Sequence, residues 1–277
     1  MKLGWHGASS MFASLETDIA VCAQAGFSGL ELWAGKIDVF LRTHPALALR
    51  DLLAENGVEP LGINSLEFIA FRGSDFDVVL DRCRAMSALA RDIGCTMLVV
   101  VPSPTPRRDM PWREIVVEYV GVLRELGAIA ADHGVRLAFE FLGFGWSTVR
   151  TPRGAWEIVR ATDRPNVGVG FDAAHFYGGG GGNAEIALLD PAQIFTFHLD
   201  DLEDLPKEAI TDANRLLPGR GILPLDSMCQ CLSAIGYDGP CSVELFRPEY
   251  WQWQPLDLAM AARDAATRVL EPHFRLG

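Results

Sequence analysis

The sequence predicts an α/β fold of the (β/α)8 TIM-barrel type, and three observations carry that prediction. The chain has 277 residues, a length that suits one such barrel. Eight short apolar runs alternate with segments of helical periodicity, with no linker and no second composition regime, so residues 1–277 read as a single domain. Glycine recurs at the junctions: Gly26, Gly57, Gly94, Gly134 and Gly236 each follow a helix-like segment and precede an apolar run. A glycine there can take the left-handed conformation that ends a helix and turns the chain into a strand.

The expected strands, in order, are Lys2–His6, Gly29–Trp33, Pro60–Asn64, Thr96–Val101, Arg136–Leu142, Val167–Asp172, Ile194–Asp200 and Cys241–Leu245. Met97 to Val101 is apolar at every position, as a strand covered by helices on one face and a barrel core on the other requires. Leu15, Ile19 and Cys22 form one helical stripe behind a Ser14 cap. Val78, Cys83, Met86, Leu89 and Ile93 form another behind Ser74, where Asp77 is placed to complete a capping-box-like pair. Ile115–Ala131, Ala155–Ala161, Leu225–Ile235 and Leu256–Leu270 follow the same periodicity. The doubly wound alternative would want a glycine-rich fingerprint after the first strand, where the chain instead reads His6-Gly7-Ala8-Ser9-Ser10. Two segments break the rhythm: the five glycines 178–182, and the long stretch 201–223, which reads either as a solvated excursion or as a lid over the barrel mouth.

Composition excludes several classes of function. Lys plus Arg number 24 against 36 Asp plus Glu, a net charge of −12 that repels phosphate backbones and anionic lipids, so no nucleic-acid or membrane partner is expected. No uncharged stretch approaches the ~18 residues of a membrane span. The first residues lack the apolar run of a signal peptide, and the six cysteines read as small hydrophobes, which points to a reducing cytoplasm. A homo-oligomer is compatible with the sequence.

In a barrel, the positions to inspect are polar residues at strand C-terminal ends. The last four strands end in Glu140, Asp172, His198 and Glu244, each preceded by apolar neighbours. Three carboxylates converging without a cation would repel and protonate. A divalent metal held by Glu140, Asp172, His198 and Glu244 resolves this, and the oxygen-rich, thiolate-free donor set suits Mn²⁺, Mg²⁺, Co²⁺ or catalytic Zn²⁺. Around it stand His175, one turn beyond Asp172, then Asp200, Arg220 and Arg247. His6, Glu31, Trp33, Asn64 and Glu67 occupy the other mouth positions. For Glu31 and Asp200 a structural ion pair competes with a role at the site.

These residues carry a resemblance. Glu140, Asp172-x-x-His175, His198-x-Asp200, the Pro218–Gly221 turn and Ser242-Val243-Glu244 are together similar to the xylose-isomerase-like barrels of sugar isomerases and epimerases. The stretches from His198 to Pro206, Thr211 to Arg215 and Ser242 to Tyr250 resemble the inosose isomerase branch. The resemblance implies a metal on Glu140, Asp172, His198 and Glu244, with His175 close to a polyhydroxylated ketone or sugar substrate. Sugar 3-epimerases of this kind carry a further glutamate six residues after the first ligand, where this chain has Trp146.

A metal chelated by a ketone oxygen and its neighbouring hydroxyl acidifies the carbon between them and stabilises the resulting enediolate. The expected activity is therefore isomerisation or epimerisation, with Glu140 and Glu244 moving the proton and His175 polarising a substrate oxygen. His6, Asn64, Arg220 and Arg247 are expected to bind substrate. The same enediolate can expel a β-hydroxyl, which makes a dehydratase of the 3-dehydroshikimate or inosose type the alternative. An endonuclease IV-type repair enzyme would need further histidines at earlier strand ends, where this chain offers Asn64 and Pro102.

Overall fold

The computed structural model describes residues 1–107 and 109–277. Its elements are β1 (Leu3–His6), α1 (Leu15–Ala25), β2 (Gly29–Trp33), α2 (Ala34–Phe40), α3 (Ala46–Glu55), β3 (Glu59–Leu66), α4 (Phe76–Ile93), β4 (Met97–Val100), α5 (Trp112–Asp132), β5 (Arg136–Glu140) and α6 (Pro152–Thr162). They continue as β6 (Val167–Asp172), α7 (Ala173–Gly178), α8 (Asn183–Ile186), β7 (Ile194–Leu199), β8 (Asp201–Leu202), β9 (Arg215–Leu216), α9 (Leu225–Ala234), β10 (Cys241–Val243) and α10 (Pro255–Leu270). Eight parallel strands close a barrel in the order β1-β10-β7-β6-β5-β4-β3-β2, and β8 pairs with β9 in a separate antiparallel ribbon. This is the TIM barrel read from the sequence, with β10 as its eighth strand.

The five junction glycines all have positive φ, from 63° at Gly57 to 89° at Gly236, so each occupies a conformation that costs other residues strain. Ser14 caps α1 by accepting from the Thr17 N–H. Met97, Val99 and Ala138 pack with Val101, Leu142 and Phe195 in a small cluster separate from the main core. Ala138 shares a face of β5 with Glu140, so this cluster plugs the barrel interior beneath the mouth. The larger core lies between the strands and the surrounding helices.

Three local expectations are corrected. Ser74 lies in a 3-10 turn, Gly73–Asp75, and the N-cap of α4 is Asp75 with no side-chain cap, so no Ser74–Asp77 box forms. Because α4 begins at Phe76, its buried stripe runs Val79, Cys83, Met86, Ala90 and Ile93, while Val78 is 65% exposed. The 201–223 stretch is not a free excursion. Buried Asp201 accepts from the backbone N–H groups of Leu202, Gly221 and Leu223, which ties the Pro218–Gly221 turn to β8. A Cβ at Gly221 would collide with the Leu202 carbonyl and the Asp201 carboxylate, which explains the glycine. The glycine run begins inside the fold too, since Gly178 is the last residue of α7.

A buried ion pair braces the turn after β1. Lys36 Nζ donates to Gly7 O at 2.8 Å, Ser10 O at 2.8 Å and Asp18 Oδ2 at 2.6 Å, while Ser10 Oγ donates to Asp18 Oδ1 at 2.6 Å. Burial pushes the Asp18 carboxyl up to about 7 and the Lys36 amine down, with the mutual attraction opposing both shifts. Removing one partner of such a pair costs more than removing both. Lys36→Met is expected to destabilise the fold by ~3 kcal/mol in urea unfolding, and adding Asp18→Asn should recover much of that loss. An unchanged unfolding midpoint for Lys36→Met would show that the brace contributes nothing.

Candidate metal centre and substrate cavity

Parallel closure puts every strand's C-terminal end on one rim, and there the structure gathers Glu140, Asp172, His198 and Glu244. Each offers a donor atom, these atoms lie within 4.8 Å of one another, and all four residues are buried. His198 Nδ1 is 2.8 Å from Glu140 Oε1 and 3.5 Å from Glu244 Oε2. Asp172 uses Oδ1 to accept from the His175 N–H at 2.6 Å as the N-cap of α7, which fixes its carboxylate and sets His175 beside it. Gly170, opposite Glu140 in the β5–β6 pairing, leaves room for that side chain: a Cβ there would sit 3.1 Å from Glu140 Cβ.

Around the quartet the charge is unbalanced. Glu31, Glu140, Asp172, Asp200 and Glu244 are buried together with two cationic partners, His198 and Arg215. Burial, reinforced by Glu140 and Asp172, pushes the Glu244 carboxyl well above its usual range, and burial with the neighbouring Asp172 does the same to Asp200. For Asp172 burial is outweighed by Arg215, which holds it low. Burial alone would lower His198, but Glu31, Glu244 and Glu140 raise it well above the ordinary imidazole value. An oxygen-rich nest with excess acid and one imidazole fits a divalent cation, which would offset both the burial and the neighbouring acids that push Glu244 toward protonation.

The quartet opens onto a cavity of about 250 Å³, smaller than the ~300–1,000 Å³ typical of drug-sized ligands. Its polar lining includes Asn64, Glu67, His175 and Arg215, besides Glu140 and Glu244. Its apolar walls are aromatic: Trp146 stacks on Phe144 with centroids 5.4 Å apart, Phe68 meets Trp146 edge-on, and Trp33 meets Phe246 edge-on. Phe144 also packs against the His175 ring at 4.8 Å. Trp146, six residues after Glu140, thus contributes wall rather than charge.

Asn64 and His175 reach this cavity as the sequence suggests; three expected substrate contacts do not. His6 is fully buried beneath Glu244. Its Nδ1 accepts from the Ala8 N–H at 3.1 Å, leaving the proton on Nε2, 3.2 Å from Glu244 Oε1, and burial pushes its pKa down to about 3. His6 is therefore neutral, packs against Glu244 and presents no surface to substrate. Arg220 is exposed on the Pro218–Gly221 turn, away from the cavity lining. Arg247 pairs with Glu203 and Glu249 and lies over the Tyr250 ring, also outside the lining. The arginine that enters is Arg215, on β9. Its Nη1 donates to Asp172 Oδ2 at 2.6 Å, to Asp200 and to Glu244 Oε2 at 3.1 Å, and its Nη2 lies 3.2 Å from His175 Nε2. One signal was present in the sequence: five acids at one rim ask for a second cation, and Arg215 is nearer in sequence to His198 and Asp200 than Arg220 is. Trp251 donates to Ala8 O and packs edge-on against Phe12, apart from this cavity.

Fold and rim together define a (β/α)8 barrel with a buried cluster of three acids and one imidazole, able to hold a divalent metal, at its C-terminal mouth. The chain belongs to the xylose isomerase-like TIM barrel family, whose model matches residues 19–269. It is 34% identical over 279 aligned positions to an inosose isomerase of Halalkalibacterium halodurans, covering 100% of this chain and 99% of that one. It superposes on the crystal structure of the IolI protein with a bound zinc atom at a TM-score of 0.96, with 31% identity and 99% of each chain covered. A more distant likeness, 27% over 240 residues, links 86% of the chain to 37% of a 3-dehydroshikimate dehydratase of Pseudomonas putida. Among the described residues no helix is long and apolar enough to cross a membrane.

Proposed function

We propose that the chain is a divalent-metal-dependent isomerase of a polyhydroxylated ketone of the inosose type, working by enediolate chemistry. The observation that carries this reading is the buried quartet Glu140, Asp172, His198 and Glu244, packed within 4.8 Å at the rim of a barrel whose full-length relatives include inosose isomerases. Those four residues would hold the ion, with Mn²⁺, Zn²⁺, Co²⁺ and Mg²⁺ all compatible with the donor set and zinc favoured by the IolI likeness. When bound, a divalent ion supplies Lewis-acid polarisation of a ketone and its neighbouring hydroxyl.

The chain's own groups do the rest. Glu140 and Glu244 line the cavity as carboxylates able to take a proton from one carbon of the substrate and return it to the next. Asn64 donates to Glu244 Oε1 at 3.3 Å, which orients that carboxylate, and the His6 ring lies 3.2 Å from the same oxygen. Arg215 and His175 present N–H donors and an acceptor to substrate oxygens. The aromatic walls exclude water and offer flat apolar surface to the C–H face of a six-membered ring. The buried free thiols suit a reducing compartment such as the cytoplasm.

The test is proton NMR in D2O of metal-supplemented protein with inosose and with ketohexoses. Isomer formation with deuterium at the carbon beside the carbonyl is expected, abolished by chelation and restored by a divalent ion. A vinylic signal would instead identify the dehydratase reading, to which the Pseudomonas putida likeness lends support. Turnover unaffected by exhaustive chelation, or none with any of these substrates, would overturn the proposal.

A further inference from the structure

Glu31, at the third position of β2, is fully buried and lies outside the ligand quartet, yet it faces the quartet's imidazole from behind. His198 Nε2 is 3.0 Å from Glu31 Oε1 and 3.2 Å from Oε2. The same carboxylate accepts from Ser242 Oγ at 2.7 Å and from Asn64 Nδ2 at 3.0 Å, so side chains from β10 and β3 hold it in place. Asn64 Nδ2 also reaches Glu244 Oε1 at 3.3 Å, which links Glu31 to a second member of the quartet. An ordinary structural ion pair does not account for this residue. Among the described residues Glu31 has no Lys or Arg partner, and its ionisable neighbours are the His198 ring and the neutral His6 ring.

The two nitrogens of His198 thus face different surroundings. Nε2 points at a carboxylate that can only accept, and Nδ1 points into the quartet, 2.8 Å from Glu140 Oε1. A neutral imidazole so placed keeps its proton on Nε2 and turns the Nδ1 lone pair toward the other ligands. We infer that Glu31 is a positioning residue that fixes the tautomer and ring plane of His198, making Nδ1 the metal-ligating atom, and that it sets the affinity of the site for its metal. The inference rests on the metal reading of the quartet and is independent of which substrate is used. Ser242 and Asn64 give it the rigidity the role requires: the acceptor is itself held by two donors, and turning the ring would break its contacts with Glu31 and Glu140.

The experiment is titration of the metal-free protein with Co²⁺, followed by visible absorption and calorimetry, for wild type, Glu31→Ala and Glu31→Gln. Circular dichroism checks that each variant is folded. Loss of an outer partner of a ligating histidine typically weakens metal binding ~10–100-fold. Glu31→Ala should show a loss of that size with an altered cobalt spectrum. Glu31→Gln should lose less, because its amide oxygen can still accept from Nε2. Should Glu31→Ala fail to fold, ring-nitrogen NMR of His198 in the zinc-loaded wild type decides: the proton is expected on Nε2 and the metal on Nδ1. The reverse assignment, or a folded Glu31→Ala that binds cobalt like wild type, would overturn the inference alone. A wild type that retains no cobalt would overturn the metal reading and the inference with it.

Discussion

Glu244→Gln is expected to lower isomerase turnover by ~10²–10⁴-fold, the range that a lost proton-transferring group commands. The substitution keeps the size of the side chain and one carbonyl-type oxygen. Asn64 donates to Oε1, so the amide oxygen will settle there and the amide NH2 will take the place of Oε2. That NH2 would then face the Arg215 guanidinium, now 3.1 Å from Oε2, and would oppose donor to donor. On the proposed reading the variant loses a metal donor and a proton carrier together with the observed acceptor for Arg215, with little change in volume. Metal content must be measured alongside rate, because the remaining three donors are expected to hold the ion more weakly. Full turnover with metal bound would show that Glu244 moves no proton, and the role would pass to Glu140.

Much of this site was legible because a barrel converts sequence pattern into place. Glu140, Asp172, His198 and Glu244 are 32, 26 and 46 positions apart, yet each closes an apolar run, and parallel strands bring such ends to one rim. β2 and β6 match their expected bounds residue for residue, since Gly29 and Val167 start them and the polar or aromatic residues at Trp33 and Asp172 end them. What could not be read depends on contacts that have no period. His6 also ends a strand, but the turn braced by Lys36 and the ring of Phe246, 6.0 Å from its own, seal it under Glu244. Arg220 drew attention through a recognisable turn, whereas Arg215 enters the mouth because β9 pairs with β8, a two-residue ribbon set by Asp201 and its backbone bonds. Val78 and Val79 are equally apolar, and only where α4 begins decides which faces the core.

Arg215 carries the second large expected effect, and it separates charge balance from chemistry. The side chain is 1% exposed, and its guanidinium serves Asp172, Asp200 and Glu244 on one nitrogen, with His175 on the other. Arg215→Met fills similar space without charge and leaves these acids with His198 as their remaining cationic partner. Breaking buried pairs in this way typically costs ~3–5 kcal/mol, and the metal-free variant should lose about that much in urea unfolding. Arg215→Lys is expected to recover little, because a point charge cannot bond three carboxylates and an imidazole at once as the planar fork does. A divalent ion bound by the quartet would offset part of the missing charge. Metal addition should therefore raise the midpoint of Arg215→Met by more than it raises that of wild type, as linkage between binding and folding requires. Equal increments would show that Arg215 and the metal act on separate sets of carboxylates. A metal-free Arg215→Met as stable as wild type would show that the acids at this rim are already neutral when the protein folds.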